Sequence, residues 1–148
     1  MRILVINGPN LNFLGIREPG IYGSDSYADL LALVRRTGEE EGVEVLTYQS
    51  NHEGALVDRI QEAYGTVDGL VLNPGAYTHT SIALLDALKA VGLPAVEVHI
   101  SDVPAREAFR QVSYIRPACI ATITGEGVAG YANAIRLLKQ HLIAAVAQ

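Results

Sequence analysis

The sequence predicts an α/β fold, a three-layer sandwich around a five-stranded parallel sheet. Two observations predict it. Short runs of Val, Ile, Leu and Ala alternate with stretches of helical period along all 148 residues, and such alternation builds βα units rather than segregated layers. Runs such as Ile3-Leu4-Val5-Ile6 and Leu70-Val71-Leu72 carry no polar alternation, which is the pattern of strands buried on both faces. A single domain covering residues 1–148 suffices, since a chain of this size buries roughly two thirds of its unfolded surface without staples.

Each element has its own signal. Strands are read at Arg2–Asn7, Glu44–Gln49, Gly69–Asn73, Ala95–His99 and residues 119–123. Helices begin near Ser26, Asn51, Thr80, Ala105 and Val128, behind cap or turn residues such as Ser24-Asp25-Ser26 and Ser50-Asn51. Ile82, Leu84, Leu85, Leu88 and Val91 form one apolar stripe, and Ile135, Leu138, Leu142 and Val146 form another, so both rows are read as core. Gly38/Gly42, Gly65 and Gly92-Leu93-Pro94 end helices, and Arg116-Pro117 breaks the chain before the last strand. Five such units fit a flavodoxin-like sandwich with strand order 2-1-3-4-5. One connection departs from the pattern: roughly twenty residues separate Asn7 from Ser26, where βα loops usually take about 2–6. An ordered loop of that length is a lid or binding loop, and this one holds Asn10, Asn12, Arg17 and Tyr22.

Composition narrows the class. Eleven Lys and Arg against 16 Asp and Glu leave a formal charge of −5, which argues against a nucleic-acid surface built on counterion release. A small anion remains a plausible ligand, because Arg17, Arg106 and Arg110 all fall beside strand ends. Cys119 is the only cysteine, so no disulfide framework exists and a small buried residue is the reading. The run after Met1-Arg2 is too short for a secretory segment, and no run approaches the ~20 residues of a membrane span. The expectation is a soluble, unanchored, cytoplasmic protein.

The candidate chemistry gathers where apolar runs stop, at the carboxyl ends of parallel strands, where open α/β sheets bind ligands. Glu97 and His99 are two apart on a strand and share a face, with Cβ atoms roughly 6.5–7 Å apart. A carboxylate there fixes the imidazole tautomer and favours its protonated form, which suits a general acid; a purely structural polar pair is the alternative. Asn73-Pro74-Gly75-Ala76-Tyr77-Thr78-His79-Thr80-Ser81 runs from a strand end to a helix start. Asn73 offers a donor and an acceptor, His79 stands before the helix, and Thr80-Ser81 cap it while leaving N–H groups for an anion. A well-capped turn with a solvent-facing histidine is the other reading. On the long loop, Tyr22 serves as a base only if a cation such as Arg17 stabilises its phenolate; simple packing of the loop competes. Arg106 and Arg110, four apart after Pro104, would share one helix face and clamp a carboxylate, or pair with Glu107 and Asp102 on the surface.

Two motifs are set aside. Gly125-Glu126-Gly127-Val128-Ala129-Gly130 matches G-x-G-x-x-G but follows the last strand, so it reads as a tight turn and close helix packing rather than a dinucleotide site. His52, His79, His99 and Glu97 show no metal-ligand spacing, and His52, Glu53 and His141 read as helix surface. No cofactor and no metal are expected.

Taken together, the chain resembles the type II 3-dehydroquinate dehydratases across nearly its full length. The resemblance rests on Ile6-Asn7-Gly8-Pro9-Asn10-Leu11-Asn12, Leu14-Gly15-Ile16-Arg17-Glu18-Pro19, Ile21-Tyr22-Gly23, Gln49-Ser50-Asn51-His52-Glu53-Gly54, the stretch from Asn73 to Ser81, Glu97-Val98-His99-Ile100-Ser101, and Ala105-Arg106-Glu107 with Phe109-Arg110. It implies dehydration of 3-dehydroquinate to 3-dehydroshikimate through an enolate. By that resemblance Tyr22 is the base, with Arg17 favouring its phenolate. His99 is the acid, oriented by Glu97, and Asn73 holds a water or the enolate oxygen. His79, Ile100, Ser101 and Arg110 bind substrate, and Asp86 reaches a neighbouring subunit's site in a homododecamer, a tetramer of trimers. Gly20, where an acidic residue is commoner, and Ser101-Asp102-Val103-Pro104 depart from the family pattern and bear on lid motion and affinity.

An imine mechanism requires a lysine, and Lys89 and Lys139 are the only two, both read on helices away from the strand ends. The competing class is a noncatalytic flavodoxin-like binding or receiver module, since fold does not fix function. A receiver carries acids at the first and third strand ends, where Asn7 and Asn73 stand. A metal-assisted hydrolase fails on ligand spacing.

Overall fold

The apolar runs become strands β1 (Arg2–Asn7), β2 (Glu44–Gln49), β3 (Gly69–Asn73), β4 (Ala95–His99) and β5 (Ala121–Thr124) of a computed structural model, which describes residues 1–16 and 18–147. All neighbours pair in parallel, in the order β2-β1-β3-β4-β5, as the sequence predicts. Helices α2 (Tyr27–Glu41) and α5 (Ala129–Val146) cover one face, over a core of Ile3, Val5, Val71, Val96 and Val98. Helices α3 (Glu53–Ala63) and α4 (Ile82–Val91) cover the other, over Leu4, Ile6, Leu70, Leu72 and Ala95. Successive strand residues thus feed opposite cores, which is why the runs show no polar alternation. Among the described residues no helix is long and apolar enough to cross a membrane.

Local sequence explains the helix ends. Ser26 caps α2 through a capping box with Asp29, Ser81 accepts from the Leu84 N–H at the start of α4, and Gly42 and Gly92 close α2 and α4 in left-handed geometry. Gly38, expected at a helix end, instead lies inside α2, where an added Cβ would press on Val43 and Val45. The α4 stripe is also rotated from the expectation. Leu84, Ala87 and Leu88 are buried, whereas Ile82 follows the cap and is 56 % exposed. In α5 the buried row is Ile135 and Leu138, and Val146 lies free of the core at the helix end.

Two elements differ from the sequence reading. β5 starts at Ala121 rather than 119, because residues Arg116–Ala118 form a 3-10 turn and Cys119 N–H bonds back to Arg116. No α-helix starts at Ala105. Two 3-10 turns, Val103–Ala105 and Ala108–Arg110, stand there instead, with Arg106 extended between them. The Gln111 amide donates to the carbonyls of Val103, Arg106 and Glu107, which a continuing helix would pair with its own N–H groups.

Strand register brings the site together. Asn7 lies opposite both Gln49 and Asn73, and Glu97 lies between Leu72 and Thr122. At Gly8 the chain passes directly against Pro74, where any Cβ would overlap that residue's backbone, and Gly8 N–H donates to Asn73 O at 2.8 Å. The start of the long connection is pinned to the end of β2. Gln49 Nε2 donates to Gly8 O and to the Asn12 and Asn51 side chains, and Leu11 and Leu14 are buried. The connection then carries the short helix α1 (Pro19–Tyr22). The G-x-G-x-x-G segment is a turn, with positive φ at Gly125 and Gly127 and with Gly130 packed on Ile123.

Candidate active site

The carboxyl ends of β3 and β4, the long loop and the two 3-10 turns enclose a pocket of ≈ 630 Å³ including its mouth. Tyr22, Asn73, His79, His99, Ile100, Ser101, Arg106 and Arg110 line it. Seven of these eight, all but Arg106, are candidate site residues carried by the resemblance. Arg17 lies outside the described residues. Glu97 stands one layer behind the wall, and Asp86 is exposed on α4 and does not line this pocket.

His99 is 6 % exposed, and its Nε2 lies 2.6 Å from Glu97 Oε2. Glu97 is fully buried. Burial alone would raise its carboxyl, but hydrogen bonds from His99, Arg116 and Ser113 outweigh that and hold it at about 2. An ionised carboxylate only accepts, so His99 Nε2 carries a proton toward Glu97 and Nδ1 is the nitrogen left to exchange one. The pair predicted from spacing is formed; its supports were not read from the sequence. Ser113 Oγ donates at 2.8 Å, Thr122 Oγ1 at 3.2 Å, and Arg116 reaches both carboxylate oxygens at 3.2 and 3.3 Å. Thr122 is the supporter a sequence reading has a route to, since in-register strand neighbours share a face.

His79 stacks on His99 with 6.5 Å between ring centroids. Its Nδ1 lies 2.7 Å from Val112 O, and a carbonyl only accepts, so Nδ1 carries the proton and Nε2 is an acceptor. Burial lowers its pKa, which favours that neutral form. Asn73 is oriented by a buried chain: Gly75 N–H donates to its Oδ1, while its Nδ2 donates to Tyr131 OH at 2.8 Å, which in turn donates to Asn7 Oδ1 at 2.6 Å. That fixes the amide with its remaining N–H as a donor at the pocket wall. Tyr131 is fully buried, and burial raises its pKa strongly, so it remains a neutral link. A tyrosine in the apolar row of a helix needs a partner for its hydroxyl, and that requirement is the signal for this link.

On the loop side, Arg106 Nη1 donates to Tyr22 OH at 2.8 Å, and the guanidinium lies 5.3 Å from the ring centroid. A cation therefore sits on the phenol oxygen, as base chemistry requires. The expected shared helix face of Arg106 and Arg110 does not exist; Arg110 pairs with Glu107 at 2.8 Å and edges the pocket separately. Cys119 is partly buried, donates to Ile115 O, and burial pushes its thiol up to about 12. Both lysines lie outside the pocket, and Lys139 is engaged with Glu41. Among the described residues no three His, Cys, Asp or Glu side chains gather as a metal-ligand set.

Comparison with known proteins places this geometry. The family model described as Dehydroquinase class II matches residues 1–139. The chain belongs to the class II dehydroquinase family. A 3-dehydroquinate dehydratase of Clostridium acetobutylicum is 53 % identical over 142 residues, covering 96 % of this chain and 99 % of the relative. A protein of Verticillium alfalfae named catabolic 3-dehydroquinase is 53 % identical over 141 residues, with 95 % and 94 % covered. The crystal structure of the type II dehydroquinase of Butyrivibrio crossotus superposes with a TM-score of 0.92 at 53 % identity, covering 94 % of this chain and 97 % of that one. The flavodoxin-like order 2-1-3-4-5 is thus that of a class II dehydroquinase.

Proposed function

We propose that the chain dehydrates 3-dehydroquinate to 3-dehydroshikimate, the hydro-lyase step of the shikimate pathway, by acid–base catalysis through an enolate. The observation that carries this reading is the pairing of a Tyr22 phenol under the Arg106 guanidinium with a Glu97-held His99 in the same pocket. Those are a base and an acid with separate supports, which is what stepwise removal of a proton and a hydroxyl needs.

In that mechanism Tyr22, as phenolate, takes a proton from the carbon next to the ketone. Arg17 and Arg106 supply the cation that favours the phenolate. Negative charge moves to the ketone oxygen, where the free Asn73 N–H, directly or through a water, stabilises it. The enolate then expels the adjacent hydroxyl as His99 Nδ1 delivers a proton, and water leaves. The imidazolium formed before this step is stabilised by Glu97. His79 Nε2 and Ser101 bind substrate hydroxyls, the Ile100-Ser101 backbone lines the same wall, and Arg110 binds the carboxylate. The substrate ketone forms no imine, and no cofactor takes part.

Asp86 serves a neighbouring copy in this account. It is exposed on α4, one helical turn from the exposed Ile82, where another copy can reach it. The assembly is a homododecamer, a tetramer of trimers, in the cytoplasm, and mass measurement in solution tests it. For the chemistry, Tyr22→Phe and His99→Ala should each cut turnover by roughly 10²–10⁴-fold while the fold is kept. Near-parental turnover in either variant removes that residue from its role.

A further inference from the structure

Behind the acid stands a cation that does not touch the pocket. Arg116 opens the 3-10 turn Arg116–Ala118, and its side chain is 48 % exposed. Its Nε lies 3.2 Å from Glu97 Oε1 and its Nη2 lies 3.3 Å from Oε2, so one planar guanidinium spans both carboxylate oxygens in the fork geometry that lysine cannot supply. The carboxylate is fully buried and also accepts from His99, Ser113 and Thr122.

We propose that Arg116 is a positioning residue for the acid: it holds Glu97 ionised in its buried place, and by sharing that negative charge it limits how strongly Glu97 retains the His99 proton. The proposal rests on the reading of His99 as the acid. Glu97 unopposed would grip an imidazolium tightly and slow its proton transfer to the leaving hydroxyl. With Arg116 opposite, the carboxylate orients the ring while the proton remains transferable. Other groups facing the pair are His79, stacked on His99, with Arg106 and Arg110 across the pocket and Cys119, which senses Glu97 from the turn before the last strand. None of these reaches both carboxylate oxygens. Ser113 and Thr122 are neutral and hold Glu97 in place when Arg116 is replaced.

The test compares Arg116→Met, which keeps an unbranched stem and removes the charge, with Arg116→Lys, which keeps the charge. Protein labelled with ¹⁵N-histidine carries four histidines, and the His99 ring signals are assigned by their loss in His99→Gln. Without substrate, the pH midpoint of the His99 ring titration is expected to rise by roughly half to one unit in Arg116→Met, and by clearly less in Arg116→Lys. With 3-dehydroquinate, the alkaline limb of kcat should move the same way, while kcat on the plateau falls and KM changes little. An unchanged or lowered midpoint in Arg116→Met, or equal shifts in both variants, overturns the proposal. A Met variant that does not fold leaves the Lys variant and Ser113→Ala, where losing one neutral donor to Glu97 must raise the midpoint modestly; no rise there also overturns it. Because the titration needs no turnover, it fails or succeeds apart from the substrate assignment, which wild-type turnover tests alone.

Discussion

Replacing Glu97 by Gln removes one charge and no volume, so its effects on folding and on chemistry can be worked out from the structure. In the folded protein the carboxyl is held at about 2 against an ordinary 4.5. A group whose pKa is depressed on folding contributes stability above its unfolded value, and that stability is lost as pH falls through the folded value. The shift of roughly 2.5 units corresponds to about 3 kcal/mol at neutral pH, at ~1.4 kcal/mol per unit. About half of it remains at pH 3, and it is gone below pH 2. Gln also places an NH₂ where an acceptor stood, opposite either His99 and Ser113 or Arg116 and Thr122, and every one of these is a donor. Urea denaturation of parent and Glu97→Gln across pH 7 to pH 3 measures this directly. The stability gap should be about 3 kcal/mol at pH 7 and shrink by half or more at pH 3. His99 titrates against Glu97, so the two proteins are also compared in a His99→Gln background, where a gap that does not narrow with acid would falsify the charge argument.

Further predictions concern the loop, the turn and the class of chemistry. Arg106→Met removes the guanidinium from the Tyr22 oxygen and should lower kcat more than tenfold with the fold intact, read by steady-state kinetics; an unchanged kcat would assign the phenolate cation elsewhere. Gly8→Ala puts a Cβ into the Pro74 backbone and should cost about 1–3 kcal/mol of stability and disorder the pocket wall, measured by thermal unfolding. Borohydride added during turnover should leave activity intact, because Lys89 and Lys139 lie outside the pocket; irreversible inactivation with a substrate-sized mass gain would indicate an imine.

Strand identity and the Glu97–His99 pair were legible in the sequence because each follows from a period, 2 along a strand and strand–helix alternation along the chain, whereas the sheet order came from the fit of five such units to a flavodoxin-like sandwich. The 3-10 turns at Val103–Ala105 and Ala108–Arg110 were not. Arg106 and Arg110 have helical spacing, and it takes the Gln111 side chain, competing for backbone carbonyls, to undo the helix. The same unreadable geometry sends Arg106 to Tyr22, 84 residues away in sequence. Ile82 shows how a cap overrides a stripe, since Ser81 sets the helix phase and turns the first apolar residue outward. Tyr131, one turn before the Ile135-Leu138 row, was not singled out in the sequence. It is core, and its hydroxyl also orients Asn73 from 58 residues away, a link that needs the tertiary structure to see.

The central claim is that this pocket eliminates water from 3-dehydroquinate by acid and base alone. Purified protein, given 3-dehydroquinate with a chelator present and no nucleotide or metal added, should generate the ultraviolet absorbance of a conjugated enone, at a rate the chelator does not alter. Well-folded protein that yields no enone contradicts the assignment, and an enone signal abolished by the chelator contradicts the mechanism.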